Sequence, residues 1–334
     1  MRIAVRAPNW IGDSILSTPS IKSLKTNFPN SRLSVIAKPW VRDLFLNLEF
    51  VDDIISLPEK NDLKSLNAAV QKIKKQKFDA GLILPNSFIS ALLFYRARIP
   101  KRWGYKKDGR QILLTEQIFV QNPRKSIHQV QYYQNIISGL GLKPSPPQLH
   151  FSLTKQEQQD ARNLLDSLHF KPTDKLVILN PGAYYGSAKR WPASRYTALA
   201  KILQKKSNPY LVLIGSQAEK ELADSIASQM QNKQANLAGK TSLRILAGII
   251  SLADLVISND SGPMHLSNAL GIPIIALFGP TIPAATRPFH PPYKVIHKKV
   301  PCWPCFYREC PYEHQCMLQI SPEEVALECE QILS

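Results

Sequence analysis

The chain has 334 residues, 44% hydrophobic and 20% charged, an ordinary globular composition with length enough for two domains that each bury a core. Its 42 Lys and Arg against 25 Asp and Glu leave a formal charge of +17, which points to an anionic partner: nucleic acid, a phosphorylated or acidic substrate, or a negatively charged membrane surface. No apolar run approaches the roughly 20 residues that span a bilayer, and no nucleic-acid-binding motif is apparent, so a spanning helix is excluded and nucleic acid is the weakest of the three partners.

The opening stretch, MRIAVRAPNWIGDS, holds a short apolar run broken by Arg6 and reads as a first strand, Ile3 to Val5, rather than a signal peptide. A cytoplasmic protein is the expectation. A loop from Ala7 to Gly12 and a helix from about Asp13 to Thr26 follow. Asp13 falls at a strand-to-helix junction, where a carboxylate can cap the helix or face a cleft at the carboxyl end of a sheet; a cap is the commoner reading of such a residue alone. Leu33 to Ala37, Asp53 to Leu57 and Ala80 to Leu84 repeat the short apolar pattern, with a helix such as Leu63 to Lys75 between. Strands alternating with helices predict a parallel sheet covered on both faces.

From Arg96 to Arg110 the chain turns basic, with Arg96, Arg98, Lys101, Arg102, Lys106, Lys107 and Arg110 against Asp108 alone. A charge run is usually a solvated face, yet one sign concentrated in a loop region also suits an anionic acceptor. Lys143 to Pro147 (KPSPP) resembles a linker, and the domain boundary is expected near 150 to 172. The second half alternates again: strand at Leu176 to Leu179, helix from Ala193 to Lys205, strand at Leu211 to Ile214, helix from Glu219, then strand, helix and strand from Leu255 to Phe278. Two doubly wound halves predict a cleft between the carboxyl edges of two sheets. Neither GxGxxG nor GxxxxGK[ST] occurs, so dinucleotide and P-loop readings lose their main support.

Three stretches of the second half carry chemistry. In NPGAYYGSAKRWP, Asn180 to Pro192, two glycines admit close approach of backbone to a ligand, and Lys189 can neutralise a diphosphate; Trp191 reads as a packing anchor. In IGSQAE, Glu219 can accept from ribose hydroxyls, although acids are common near helix starts. In NDSGPMHLSNALG, Asn259 to Gly262 form a turn, Pro263 suits the first helical position, and the N–H groups of Gly262, Met264 and His265 lie at the positive helix end that favours phosphate. Capping alone, by Asp260 and Ser261, is the commoner use of such a turn. The last region, VPCWPCFYRECPYEHQC, packs Cys302, Cys305, Cys310 and Cys316 around His314, a density that in a cytosolic protein suggests a structural zinc more than disulfides. Cys329 reads as a small core residue.

NWIGDSILSTP at 9–19, PGAYYGSAKRWP at 181–192, NDSGPMHLSNALGIPIIALFGPT at 259–281 and PCWPCFYRECP at 301–311 together resemble the heptosyltransferase family of lipopolysaccharide biosynthesis in Gram-negative bacteria, glycosyltransferase family 9. The resemblance implies an α/β GT-B fold of two Rossmann-like doubly wound domains facing across a cleft: residues 1–160 for the acceptor, 161–320 for ADP-heptose, and a C-terminal helix, 321–334, packing back towards the first domain. It implies an inverting, metal-independent transfer of heptose to the first heptose of the Kdo-lipid A inner core, by an enzyme peripheral to the inner face of the cytoplasmic membrane. By motif, Asp13 becomes the catalytic base and Lys189 meets the donor phosphates. Glu219 takes the ribose, Asp260, Ser261, Gly262, Met264 and His265 complete the donor site, and Tyr184 and Tyr185 lie near the phosphates. Trp10, Arg96, Arg98, Lys101 and Arg102 are assigned to the acceptor and its phosphates and carboxylates. No DxD stands where it would hold a metal ion, and no cofactor beyond the candidate zinc is expected. The alternatives are another heptosyltransferase or GT-B sugar-nucleotide transferase or epimerase and, from a different class, a non-catalytic protein binding an anionic glycolipid or nucleic acid.

Overall fold

The computed structural model describes residues 1–60, 62–120, 126–231 and 233–334. The chain divides into two units, Met1–Ser152 and Leu153–Ser334. The division falls inside the expected 150 to 172 region, eight residues before the 160/161 boundary that the family resemblance implies, because α7 (Lys155–Ser167) belongs wholly to the second unit. Its Glu157 binds Arg244 through two bonds, Nε to Oε1 at 2.7 Å and Nη2 to Oε2 at 2.5 Å.

The first unit runs β1 (Arg2–Arg6), α1 (Ile11–Leu16), α2 (Thr18–Asn27), β2 (Arg32–Ala37), α3 (Pro39–Arg42), β3 (Asp53–Ser56), α4 (Leu63–Lys74), β4 (Ala80–Ile83), α5 (Phe88–Arg96), β5 (Lys101–Tyr105), β6 (Glu116–Ile118) and α6 (Gln129–Gly139). All pairings are parallel in the order β3-β2-β1-β4-β5-β6, with Val5 opposite Val35 on one side and Leu82 on the other. Ile3, Ala4 and Val5 are wholly buried, as a strand covered on both faces requires. The single helix expected from Asp13 is two. Pro19 has no N–H to continue a helix and the chain restarts at Thr18, which leaves Trp10 as the N-cap of α1 and Asp13 in its first turn.

The second unit repeats the plan with α7, β7 (Leu176–Asn180), α8 (Ala193–Lys206), β8 (Tyr210–Leu213), α9 (Lys220–Ala227), β9 (Gln234–Asn236), α10 (Leu243–Ile250), β10 (Leu255–Asn259), α11 (Gly262–Ala269), β11 (Ile274–Phe278), α12 (Pro283–Thr286), β12 (Tyr293–His297), α13 (Gln315–Leu318) and α14 (Pro322–Leu333). Its sheet is again all parallel, ordered β12-β11-β10-β7-β8-β9. The C-terminal helix α14, expected to pack towards the first unit, buries Val325, Ala326 and Cys329 in the core of the second, beside Trp191 and Leu203. Full burial of a valine contributes about 1.5–3 kcal/mol of transfer free energy, and alanine and cysteine add less.

In both sheets the chain starts at a central strand, builds outwards one way, then returns to the other side of that strand. The reversal lies between β1 and β4 in the first sheet and between β7 and β10 in the second. Loops leaving the carboxyl ends of such a strand pair part to opposite faces of the sheet and leave a crevice there.

Candidate functional sites at the two strand reversals

The second sheet's crevice is organised by two asparagines. Asn180 ends β7 and Asn259 ends β10, and both are buried. Asn259 donates Nδ2 to the carbonyls of Pro181 (2.9 Å) and Gly182 (3.3 Å), and its Oδ1 accepts from the Trp191 N–H (3.0 Å). Asn180 donates to Ser258 Oγ (2.8 Å) and Ser261 Oγ (2.7 Å). These bonds tie both ends of the 181–190 loop to β10. Sequence reasoning saw Asn259 only as a turn residue and passed over Asn180.

Lys189 reaches across the reversal to Asp260, Nζ to Oδ2 at 2.5 Å, with both side chains largely buried. Thr281 Oγ1 donates to the same carboxylate oxygen at 2.8 Å. Burial pushes the Asp260 carboxyl up, but Lys189, then His265 and Thr281, more than offset it and hold the group below the usual carboxylate range. The commoner capping role is therefore not the one adopted. Asp260 is committed to Lys189 and Thr281, Ser261 accepts from Asn180, and α11 starts with no side-chain cap. The first N–H groups of α11, at Gly262 and Met264, are left for another acceptor at the positive end of the helix. Met264 contributes only backbone there, because its side chain packs against Ile274, Ala276 and Phe278. His265 is buried in the same turn.

Glu219 closes a capping box, accepting from Ser216 N–H and Oγ through Oε2 at 2.8 Å each. Its other oxygen lies against Gly182, where an added Cβ would come within 2.2 Å of Oε1. Glycine at 182 thus lets the β7 loop and the Glu219 carboxylate share one place. Tyr184 is 80% exposed. The Tyr185 hydroxyl donates to the Phe306 carbonyl at 2.7 Å, and its ring centre lies 4.9 Å from Lys189 Nζ and 5.5 Å from the Arg308 guanidinium.

The cysteine-rich segment supports the Lys189 loop from outside. Ala188 N–H donates to the Arg308 carbonyl (2.9 Å), His314 Nε2 bonds the Ala188 carbonyl (2.8 Å), and Trp303 Nε1 donates to the Thr281 carbonyl (3.0 Å). Cys302, Cys305, Cys310, Cys316 and His314 line one cavity, and burial together with the three neighbouring thiols pushes the Cys316 thiol up to about 11. Among the described residues, however, no three His, Cys, Asp or Glu side chains are placed to hold a metal ion, so the expected zinc site is not preformed. Cys329 is buried in the core as expected.

In the first unit, Asp13 is half-buried in the first turn of α1, just past β1, and its Oδ1 accepts from Tyr133 Oη of α6 at 3.3 Å. Tyr133 had no signal in the sequence, since an aromatic on a helix face normally reads as core. Trp10 stands three residues before Asp13, 43% exposed. Arg96, Arg98, Lys101 and Arg102, assigned to the acceptor from the sequence, stand apart from Asp13 within this sheet. Lys101 and Arg102 open β5 in register with Ala80 and Gly81, which open β4, so these residues and the preceding Arg96 and Arg98 occupy the amino edge of a wholly parallel sheet. Asp13 follows the carboxyl edge. Arg102 is committed to the carbonyls of Ile99 and Leu113, at 2.6 Å each. Arg110 is fully buried and donates to the carbonyls of Tyr105 and Pro85 and to Asn86.

Comparison with known proteins is consistent across sequence and structure. The family model of glycosyltransferase family 9 (heptosyltransferase) matches residues 66–316. The chain is 31% identical to the lipooligosaccharide heptosyltransferase 2 of Haemophilus ducreyi over the whole of both chains. Among solved structures it resembles the ADP-heptose lps heptosyltransferase II of Escherichia coli (TM-score 0.83, 27% identity, covering 100% of this chain and 98% of that one). It also resembles the family 9 glycosyltransferase of Veillonella parvula (TM-score 0.87, 25% identity, 99% and 97%).

Proposed function

From the chain's membership of glycosyltransferase family 9, the heptosyltransferases, we propose that it is the second heptosyltransferase of the lipopolysaccharide core. It takes L-glycero-D-manno-heptose from ADP-heptose and places it on the first heptose of Kdo-lipid A. The observation that carries the donor half is the pairing of Lys189 with an α11 whose first N–H groups lack a side-chain cap, across the β7–β10 reversal. The ammonium keeps donors to spare beyond Asp260, and a diphosphate set there meets Lys189 and the helix end together. Glu219, held against Gly182, takes ribose hydroxyls.

Transfer proceeds by a single inverting displacement. The acceptor hydroxyl loses its proton to an Asp13 carboxylate oxygen while its oxygen bonds the heptose C1 from the face opposite the nucleotide. The C1–O bond to phosphate breaks, and ADP departs with the electron pair. Tyr133 Oη, donating to Asp13 Oδ1, holds the carboxylate in place for that transfer. Negative charge developing on the departing diphosphate is met by Lys189 and the α11 N–H groups, with no metal ion required. The lipid acceptor places the enzyme at the inner face of the cytoplasmic membrane as a peripheral protein; no helix among the described residues is long and apolar enough to cross one. A structural zinc at the four cysteines requires their side chains to swing together, and one zinc per chain in the purified, reduced protein would establish it.

The deciding experiment is turnover of ADP-heptose with mono-heptosylated Kdo-lipid A, followed by ADP release and product mass. Heptose addition to this acceptor and not to Kdo-lipid A lacking heptose is expected. Addition only to the unheptosylated form would make the chain a first heptosyltransferase, and donor binding without turnover on either would move the search to other acceptors.

A further inference from the structure

Helix α5 is apolar on both faces. Its inner side, Ala91, Leu93, Phe94 and Ala97, joins Ala69, Val70 and Ile73 of α4 in the core of the first unit. Its outer side presents Phe88, Leu92 and Tyr95, spaced four and then three residues apart, with Ile89 beside them. Phe88, Ile89 and Tyr95 are 43%, 47% and 50% exposed, and Leu92 is half-buried. A surface helix ordinarily turns a polar face to water, so a second apolar stripe of this length needs something to cover it. On the elements packed against α5, Leu63 opens α4 and Ile112 lies in the turn Arg110–Leu113; they are 76% and 75% exposed.

The same layer gathers positive charge. From Leu63 to Arg102, the span of α4, β4, α5 and the start of β5, the chain carries nine Lys and Arg and a single acid, Asp79, whose Oδ2 accepts from the Arg2 N–H at 2.7 Å. Nine less one leaves eight of the chain's seventeen net positive charges in this stretch. Lys64, Lys72, Lys74 and Lys75 are exposed on α4, and Arg96 and Arg98 are exposed where α5 ends. Tyr95, Arg96, Arg98 and Arg102 line one open cavity at that end, with the Arg102 guanidinium 5.4 Å from the centre of the Tyr95 ring. Aromatic and aliphatic side chains bounded by Lys and Arg suit an anionic bilayer: the apolar groups enter the boundary between head groups and acyl chains, and the cations meet lipid phosphates. A second copy of the chain is a poor match, since pairing this surface with itself sets its positive charge against the same charge.

We propose that the α4–α5 layer of the first unit is a docking surface for an anionic phospholipid bilayer, with Phe88, Ile89, Leu92 and Tyr95 entering the head-group boundary and Arg96 and Arg98 meeting lipid phosphates at the cavity that ends the stripe. This deepens the peripheral membrane placement proposed above. It rests on the transfer reading only for its use, the meeting of enzyme and lipid acceptor; bilayer binding itself is measured without turnover.

The test is cosedimentation with vesicles of phosphatidylcholine alone and of phosphatidylcholine containing about 30% phosphatidylglycerol, beside turnover of acceptor dispersed in neutral detergent. Three proteins are compared: wild type, Phe88→Ser with Tyr95→Ser, and Lys74→Gln with Lys75→Gln. Wild type is expected to bind the anionic vesicles and to lose that binding as salt rises. Each double variant should weaken it about tenfold and leave turnover in detergent within about twofold of wild type. The lysine pair is exposed, so it decides the matter if the apolar pair folds poorly. Hydrogen exchange of the wild type needs no variant, and anionic vesicles should slow it within residues 63–102. Equal binding to both vesicle types, binding to neither, anionic binding kept by both folded double variants, or slowed exchange only outside 63–102 overturns the docking surface. So does a wild-type dimer that Phe88→Ser with Tyr95→Ser makes monomeric, which would give the stripe to a second copy. A wild type inactive in detergent yet bound to anionic vesicles overturns instead the transfer reading and leaves the surface standing.

Discussion

The two sheets share one topology and reverse at equivalent places, yet the two crevice edges are balanced in opposite ways. At the β7–β10 reversal the buried charge is neutralised internally, Lys189 against Asp260, and two asparagines stitch the loops to the strand ends. At the carboxyl edge around β1, the buried Arg6 guanidinium meets only neutral acceptors, Lys38 adds charge of the same sign, and two indoles lie open to solvent. A neutralised, heavily bonded edge keeps its shape when empty, as the diphosphate site proposed for it requires. The edge around β1 instead holds its guanidinium on backbone carbonyls and an amide oxygen, beside the first turn of α1 that carries Asp13.

The largest expected effect breaks the first unit's chemistry without touching the second's binding. Asp13→Asn should lower kcat by about 10²–10⁴ while the ADP-heptose Kd, measured calorimetrically, stays unchanged; a comparable loss of donor affinity would show that the residue acts through the fold. Next, Lys189→Ala leaves Asp260 buried without its cation, and its unfolding free energy should fall by roughly 3–5 kcal/mol with a large rise in donor KM. Lys189→Ala with Asp260→Asn should recover much of that stability and none of the donor affinity, which separates the two uses of the lysine. Gly182→Ala sets a Cβ on the Glu219 carboxylate, so donor KM should rise about tenfold while acceptor KM holds.

A pH series sharpens the contrast further. Asp260 is held below the usual carboxylate range, so its contribution to stability is present above that range and is lost as pH falls through the depressed value. The Tm gap between wild type and Asp260→Asn should therefore be widest near neutrality and close on acidification. The smallest effect is expected from reversing Arg96 and Arg98 to Glu. Both are exposed at the amino edge, and acceptor KM should stay within about twofold of wild type. A marked rise would return the acceptor to that edge.

Much of the plan was legible in the residues. Short buried runs such as LVILN and IIALF between helices require a parallel sheet, because only strands covered on both faces are apolar throughout. The NDSGP turn announced a helix start, and the paired basic and glycine residues of the β7 loop marked close approach to an anion. Less legible were β5, hidden inside a stretch that reads as a charged loop, and β6, which is only three residues long.

What the sequence determined by itself was local: strands, helix starts, the spacing of Asp13 from β1 and of Lys189 from β7. Each follows from steric and hydrophobic preferences within a few residues of chain. Which edge of the sheet a charge occupies was decided only by the tertiary structure, since that depends on the direction in which each strand is entered. The same holds for every long-range bond that gives the sites their character: Asn259 to the Pro181 carbonyl, Lys189 to Asp260, Tyr133 to Asp13. Those partners lie 78, 71 and 120 positions apart, and no periodicity in the chain encodes a bond over such separations.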